Sequence, residues 1–193
     1  MRKRATLTSR GAGRKPSAKG SPRSWPTRWL FTDAARLPDP LPAIAMLPRG
    51  LGVVLRHYGV AGRDKLIDDA ARLCRARGLA LLVAGADHLP QGLVRPKAGF
   101  GAQPLTAAAH DAAAIVRAWR AGAAGVFISP VFATSSHPGA VPLGPLRFAL
   151  LRRLARRYGL AVFALGGMDE QSWRRLRPLQ PHGYGAIGAF LRA

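Results

Sequence analysis

Val126 to Pro145 reads VFISPVFATSSHPGAVPLGP, and about one helix later Phe163 to Met168 reads FALGGM. Each stretch opens on a short run rich in Val, Ile and Phe, the pattern of a strand buried on both faces, and then breaks into small, polar or glycine residues. Two strands ending in such loops predict a site at their C-terminal ends. Between them, Leu146 to Gly159 (LRFALLRRLARRYG) sets Leu146, Leu150, Leu151, Leu154 and Tyr158 along one helical face. Arg152, Arg153, Arg156 and Arg157 fall largely on the other, as in an amphipathic helix.

The same alternation runs through most of the chain. Trp29 to Asp33, Gly52 to Tyr58, Leu79 to Ala84, Leu105 to His110, Ala124 to Val131, Leu160 to Leu165 and Tyr184 to Ala189 read as strands. Leu37 to Arg49 is Pro-rich and predicts a short or irregular helix. Arg63 to Arg77 predicts a regular one, with Leu66, Ile67, Ala70, Leu73 and Cys74 on its apolar face and Gly78 as its left-handed stop. Asp111 to Ala121 and Asp169 to Leu176 supply two more helices, the first capped by Asp111. Strands alternating with helices at this spacing predict parallel βαβ units joined by right-handed crossovers.

No G-x-G-x-x-G follows the first strand, which disfavours an open dinucleotide-binding sheet. Polar residues or glycines recur at strand ends instead: Thr32 and Asp33, Arg56, His88, His110, Thr134, and Gly166 with Gly167. That pattern suits a closed barrel, which gathers its βα loops on one face. The predicted fold class is α/β, a TIM (β/α)8-type barrel. One unit is short, however. Between Ala84 and His88 only Gly85, Ala86 and Asp87 remain, whereas a parallel crossover takes at least about ten residues. One βα unit is expected to be shortened or missing around residues 84–104. Either the barrel closes with seven strands, or Pro90 to Gln103, which reads as irregular, patches the wall. No helix is expected after the last strand, unless a partner supplies one.

A chain of 193 residues is enough for one such domain. Its net charge of +21 is unevenly spread: nine of the thirty Lys and Arg fall within residues 1–28, which hold no Asp or Glu. That segment has almost no large apolar residue before Trp25, so it predicts a disordered basic tail ahead of a barrel domain spanning 29–193. No apolar run of 18 residues and no secretory-type apolar core occurs, and a cytoplasmic protein is expected. The lone Cys74 excludes an internal disulfide and any multi-cysteine metal site, and its helical spacing reads as a small buried hydrophobe.

Taken in order, LFTD, VVLRHY, HLPQ, AAAH, SPVFATSSHPG, ALGGM and GAIGAF resemble the thiamine phosphate synthase and thiazole tautomerase family. The resemblance covers about Trp29 to Ala193, and SPVFATSSHPG followed by ALGG is its most specific part. It implies a (β/α)8 barrel of thiamine biosynthesis. The synthases couple hydroxymethylpyrimidine diphosphate to a thiazole phosphate, releasing pyrophosphate with Mg²⁺, and the tautomerase members isomerise the thiazole ring.

Ionising a diphosphate calls for a metal held on carboxylates and for cationic side chains around the leaving group. Against that pattern the chain keeps Arg56 but has Val54 and Tyr58 where synthases have Gln and Lys. Ala84 and Gly85 stand where an Asn-Asp pair is usual, and no Asp follows His88 and Leu89, where the chain reads Pro90 to Leu93. His137 stands where a Lys is usual. Mg²⁺ is the cofactor implied for a true synthase, but its expected carboxylate ligands are absent, and no metal-binding residue is predicted.

The other half of the site is kept. Gly166 and Gly167 let backbone approach a phosphate, Thr134 and Ser136 offer hydroxyls, and N–H groups near Gly188 add donors although the family's serine is missing there. His110 and His137 are the candidate proton carriers, and Arg56, an inward cation, needs an anion from ligand or from Asp33. The predicted catalytic residues are thus His137, His110 and Arg56. The predicted substrate and phosphate contacts are Thr134, Ser136, Gly166, Gly167 and Gly188.

Three functions compete. One is an enzyme of thiamine biosynthesis, synthase-like or acting as a tautomerase on thiazole phosphate alone. Another is a non-catalytic paralogue that binds the same phosphate ligand, and the third is a nucleic-acid binder using the basic tail, which lacks interleaved aromatics. The expected partners are small-molecule thiazole phosphate or pyrimidine diphosphate, with a homo-oligomer open and no membrane.

Overall fold

The computed structural model describes residues 25–85, 93–98, 105–134, 139–187 and 190. The strands form a closed barrel in chain order: β1 (Arg28–Phe31), β2 (Gly52–Leu55), β3 (Ala80–Ala84), β4 (Leu93–Ala98), β5 (Leu105–Ala109), β6 (Ala123–Ile128), β7 (Ala161–Ala164) and β8 (Gly183–Ala186). Around them lie α1 (Leu41–Met46), α2 (Arg63–Arg77), α3 (Ala112–Arg120), α4 (Gly144–Arg157) and α5 (Glu170–Leu176). The alternation predicted a barrel, and closure is completed by pairing of β8 with β1.

The missing unit is resolved in a way that the sequence left open. Seven strands run in one direction, while β4 pairs antiparallel with both neighbours: Leu82 opposite Pro96 on β3, and Val94 opposite Thr106 on β5. The stretch read as irregular is therefore a strand that patches the wall. A parallel neighbour would need a crossover to return the chain to the start of the sheet; an antiparallel one uses the return path itself as the strand. Pro96 and Gly-rich flanks conceal it, since proline depresses a strand reading.

Along each strand alternate residues face the lumen and the helices. Trp29, Phe31, Val54, Leu82, Phe127 and Phe163 form the lumen core, while Leu30, Val53, Leu55, Leu81 and Val83 pack outward with α1 and α2. Inside, Phe127 stacks on Phe163 with centroids 4.9 Å apart and meets Phe31 edge-on at 4.9 Å. Such aromatic pairs add roughly 0.5–1.5 kcal/mol each beyond area burial, so this half of the lumen is solid core. The barrel also begins earlier than residue 29. Trp25 sits edge-on against Phe163 at 5.4 Å, and Thr27 accepts from the Tyr184 amide at 2.9 Å. The expected tail boundary thus moves to before Trp25, and residues 1–24 lie outside the described residues.

Helix α4 packs differently from its leucine stripe. Phe148 and Ala155 are buried, with Leu151, Leu154 and Tyr158 partly so, whereas Leu146 is 76% and Leu150 53% exposed. The helix is rotated so that the Phe148 ring enters the core, which carries the first-turn leucines outward. Asp111 caps α3 by accepting from the Ala114 amide at 2.6 Å, as its position predicts. Asp169 and Ser172 form a reciprocal capping box on α5.

Cys74 is fully buried on α2, and desolvation pushes its thiol up to about 12. The thiolate is the reactive form, so the folded chain is expected to resist thiol-specific reagents at neutral pH. Labelling should track unfolding in a denaturant series; rapid stoichiometric labelling of the native chain would contradict this packing.

Candidate active site

The C-terminal ends of the seven parallel strands meet at one mouth, where the loops after β2, β5, β6 and β7 bring Arg56, His110, Thr134, Gly166 and Gly167. Arg56 follows β2, and its guanidinium stands 3.7 Å from the Asp33 carboxylate and 5.9 Å from the Phe31 ring centroid. Asp33 is thus the partner expected for that cation. Both side chains are about a quarter exposed, so the pair borders solvent rather than lying in the core.

Below this pair lies a network that the sequence did not disclose. The Arg56 amide donates to Thr32 Oγ1 at 3.0 Å, Thr32 Oγ1 lies 3.0 Å from His57 Nδ1, and His57 Nε2 lies 2.9 Å from the Leu37 carbonyl. A carbonyl only accepts, so in the neutral ring Nε2 carries the proton and Nδ1 accepts from the threonine hydroxyl. Thr32 and His57 are both buried. Strand period held the available signal: with Arg56 facing inward, His57 must turn to the opposite face.

Across the mouth, His110 ends β5. Its Nδ1 donates to the Ser129 carbonyl at 2.6 Å, with Ser129 Oγ 3.4 Å away. In the neutral ring this bond puts the proton on Nδ1 and leaves Nε2 of the exposed side chain as the acceptor. Ser129 itself is buried at the end of β6, beside the cis Ser129–Pro130 peptide.

The loops after β6 and β7 are laced together. Val131 donates to the Leu165 carbonyl at 2.9 Å, and Phe132 to the Gly166 carbonyl at 3.1 Å. Gly166 and Gly167 both take left-handed backbone, with φ of 87° and 62°. A Cβ on Gly166 would lie 2.8 Å from Pro130, and one on Gly167 would strike Phe132 and the Ala133 carbonyl. The glycines are therefore required by the loop packing itself. Among the described residues their own amide N–H groups have no acceptor, so two donors remain at the rim. Thr134 lies partly buried on the same β6 loop. His137, Ser136 and Gly188 lie outside the described residues.

Asp33, Asp111, Asp169 and Glu170 at the mouth do not offer a Mg²⁺ site, which needs free carboxylate oxygens in near-octahedral array. Asp33 holds Arg56 and accepts from the Ala35 amide, Asp111 and Asp169 cap helices, and Glu170 lies 3.5 Å from the Tyr184 hydroxyl. Each is committed to the fold. At the end of β3, where a metal carboxylate would stand, the chain has Ala84 and Gly85.

A barrel with a phosphate-type glycine turn after its seventh strand and polar groups on the neighbouring strand ends defines a small-molecule site of the (β/α)8 class. Residues 54–189 match the thiamine monophosphate synthase family, and the chain belongs to it. It is 32% identical over 147 residues to the thiamine-phosphate synthase of Salinispora arenicola, covering 76% of this chain and 68% of that protein. With the thiamine-phosphate synthase of Salinispora tropica it shares 32% over 128 residues, or 66% of this chain and 60% of the relative's length. The barrel superposes on thiamine phosphate pyrophosphorylase from Pyrococcus furiosus with a TM-score of 0.66 at 14% identity, covering 86% and 88% of the two chains. That likeness is one of fold. No described helix is long and apolar enough to cross a membrane.

Gly167→Ala tests the laced loops. Left-handed backbone costs a non-glycine residue about 1–2 kcal/mol, and the clash with Phe132 adds about 1–3 kcal/mol of overpacking. Urea unfolding should show a combined loss of about 2–5 kcal/mol; an unchanged midpoint would mean that the turn is not built as described.

Proposed function

We propose that this chain is a cytoplasmic protein of thiamine biosynthesis that binds the thiazole phosphate partner at the β5–β8 side of the mouth and moves a proton on its ring. The synthase reaction is not proposed for it. The observation that carries this reading is the pairing of two kinds of group on one rim: Gly166 and Gly167 amides without an acceptor among the described residues, for a phosphate, and exposed His110 with Nε2 left as an acceptor in the neutral ring.

Thr134 and Ser136 are assigned hydroxyl contacts to the ligand, and the backbone near Gly188 further phosphate donors. In the step itself a ring C–H bond breaks and its proton passes to His110 Nε2, while the ring double bonds shift; the proton then returns to a second ring carbon. Atoms and oxidation state are conserved, and no cofactor enters. His137 stands as a second proton carrier. Arg56 would orient the ligand's ring side from across the mouth, its charge already answered by Asp33. The family's Mg²⁺-assisted coupling would need carboxylates that the described mouth does not offer.

A non-catalytic binder makes the same phosphate contacts without proton transfer, and one experiment separates the two. Calorimetry with the thiazole phosphate should give saturable heat, and NMR in D₂O should show catalysed exchange of a ligand C–H. His110→Gln should slow exchange by about 10²–10⁴-fold, the usual contribution of a general base, with affinity changed only a few-fold. Heat without exchange leaves a binding protein; no heat overturns the reading.

A further inference from the structure

The opposite end of the barrel holds a second feature, independent of the mouth. An open cavity of about 360 Å³ lies at the N-terminal ends of β6 and β7, lined by Trp25, Arg156, His182 and the backbone around Gly159 and Ala161. We infer that this cavity is a separate anion site, taking a compact ligand that carries a phosphate or carboxylate group.

His182 is clamped for the purpose. Its amide donates to the Val162 carbonyl at 2.7 Å, and its Nδ1 accepts from the Val162 amide at 3.0 Å. With Nδ1 accepting, the neutral ring carries its proton on Nε2, a donor with no acceptor among the described residues. Arg156 contributes a guanidinium that likewise has no carboxylate partner there. Neighbouring Arg152 is fixed by donating from Nε and its terminal nitrogen to the Gln180 carbonyl at 3.0 and 2.9 Å.

The charge distribution points the same way. Between residues 105 and 187 the chain has ten arginines and three carboxylates, Asp111, Asp169 and Glu170. All three carboxylates sit at helix starts on the mouth side, which leaves no described carboxylate of this half on the cavity's face. Burial lowers the His182 pKa, and the fields of Arg156 and Arg152 lower it further, the response expected of an uncompensated positive pocket. Arginines in the last turn of α4 also answer its dipole, but a helix C-terminus carries only about half a charge, less than one guanidinium. Trp25, held against Phe163, gives the cavity an apolar wall for a short carbon skeleton. The volume is at the small end for ligand sites, roughly 300–1,000 Å³.

The test uses the full chain and the ring signals of its histidines in NMR, titrated with inorganic phosphate and, in a parallel arm, acetate, at constant ionic strength. His182 signals, assigned with His182→Gln, should move saturably with at least one of the two anions, and Arg156→Gln should weaken that movement by about tenfold or more. Arg156 is exposed, so the variant should keep the fold, which unchanged signals from buried His57 will show. His110 reports separately on the mouth, so failure there and failure here are distinguishable. Unmoved His182 signals at millimolar anion, or equal movement in Arg156→Gln, would overturn the inference and leave an adventitious ion only.

Discussion

Closure of the sheet is the constraint on which the rest depends. An open β3 or β5 edge would expose a row of unpaired N–H and C=O groups, and the buried lumen aromatics would lose their wall. The residues between Ala84 and Leu105 are too few for the two crossovers and the strand that a parallel β4 would need, and the chain closes the ring by running β4 backwards. The two antiparallel pairings keep every barrel neighbour hydrogen-bonded. They also bring the chain back to the N-terminal face, so that β5 can rise again toward the mouth with His110 at its end.

The two sides of the mouth then carry different chemistry. On one side Asp33 and Arg56 answer each other, and the Thr32–His57 network holds their backbone from below. On the other side the β6 and β7 loops are tied by backbone hydrogen bonds, and among the described residues the Gly166 and Gly167 amides have no acceptor. Of the carboxylates described there, Asp111 and Asp169 cap helices, Asp33 pairs with Arg56 and Glu170 faces the Tyr184 hydroxyl. On the proposed reading, these described groups serve a phosphate and a proton rather than a metal and a departing diphosphate.

Much of this was legible in the sequence because it follows from strand and helix period. The bounds of α2, the cap Asp111, and the placement of Arg56, His110, Gly166 and Gly167 at strand ends are local properties, and they appear where expected. Leu146 and Leu150 show the limit: both fit a leucine stripe, yet Phe148 takes the core and the stripe turns outward. β4 was hidden because its register is set by β3 and β5, not by its own residues. The His57 network was hidden because it joins positions 20 and 25 residues apart.

We propose that this barrel keeps the thiazole phosphate half of its family's site without the metal half. The direct measurement is a single-turnover reaction of the full chain with the pyrimidine diphosphate, thiazole phosphate and Mg²⁺, reading pyrophosphate and thiamine phosphate. The account predicts occupied thiazole phosphate sites with neither product above the protein-free control. Stoichiometric thiamine phosphate and pyrophosphate, abolished by chelating Mg²⁺, would contradict it.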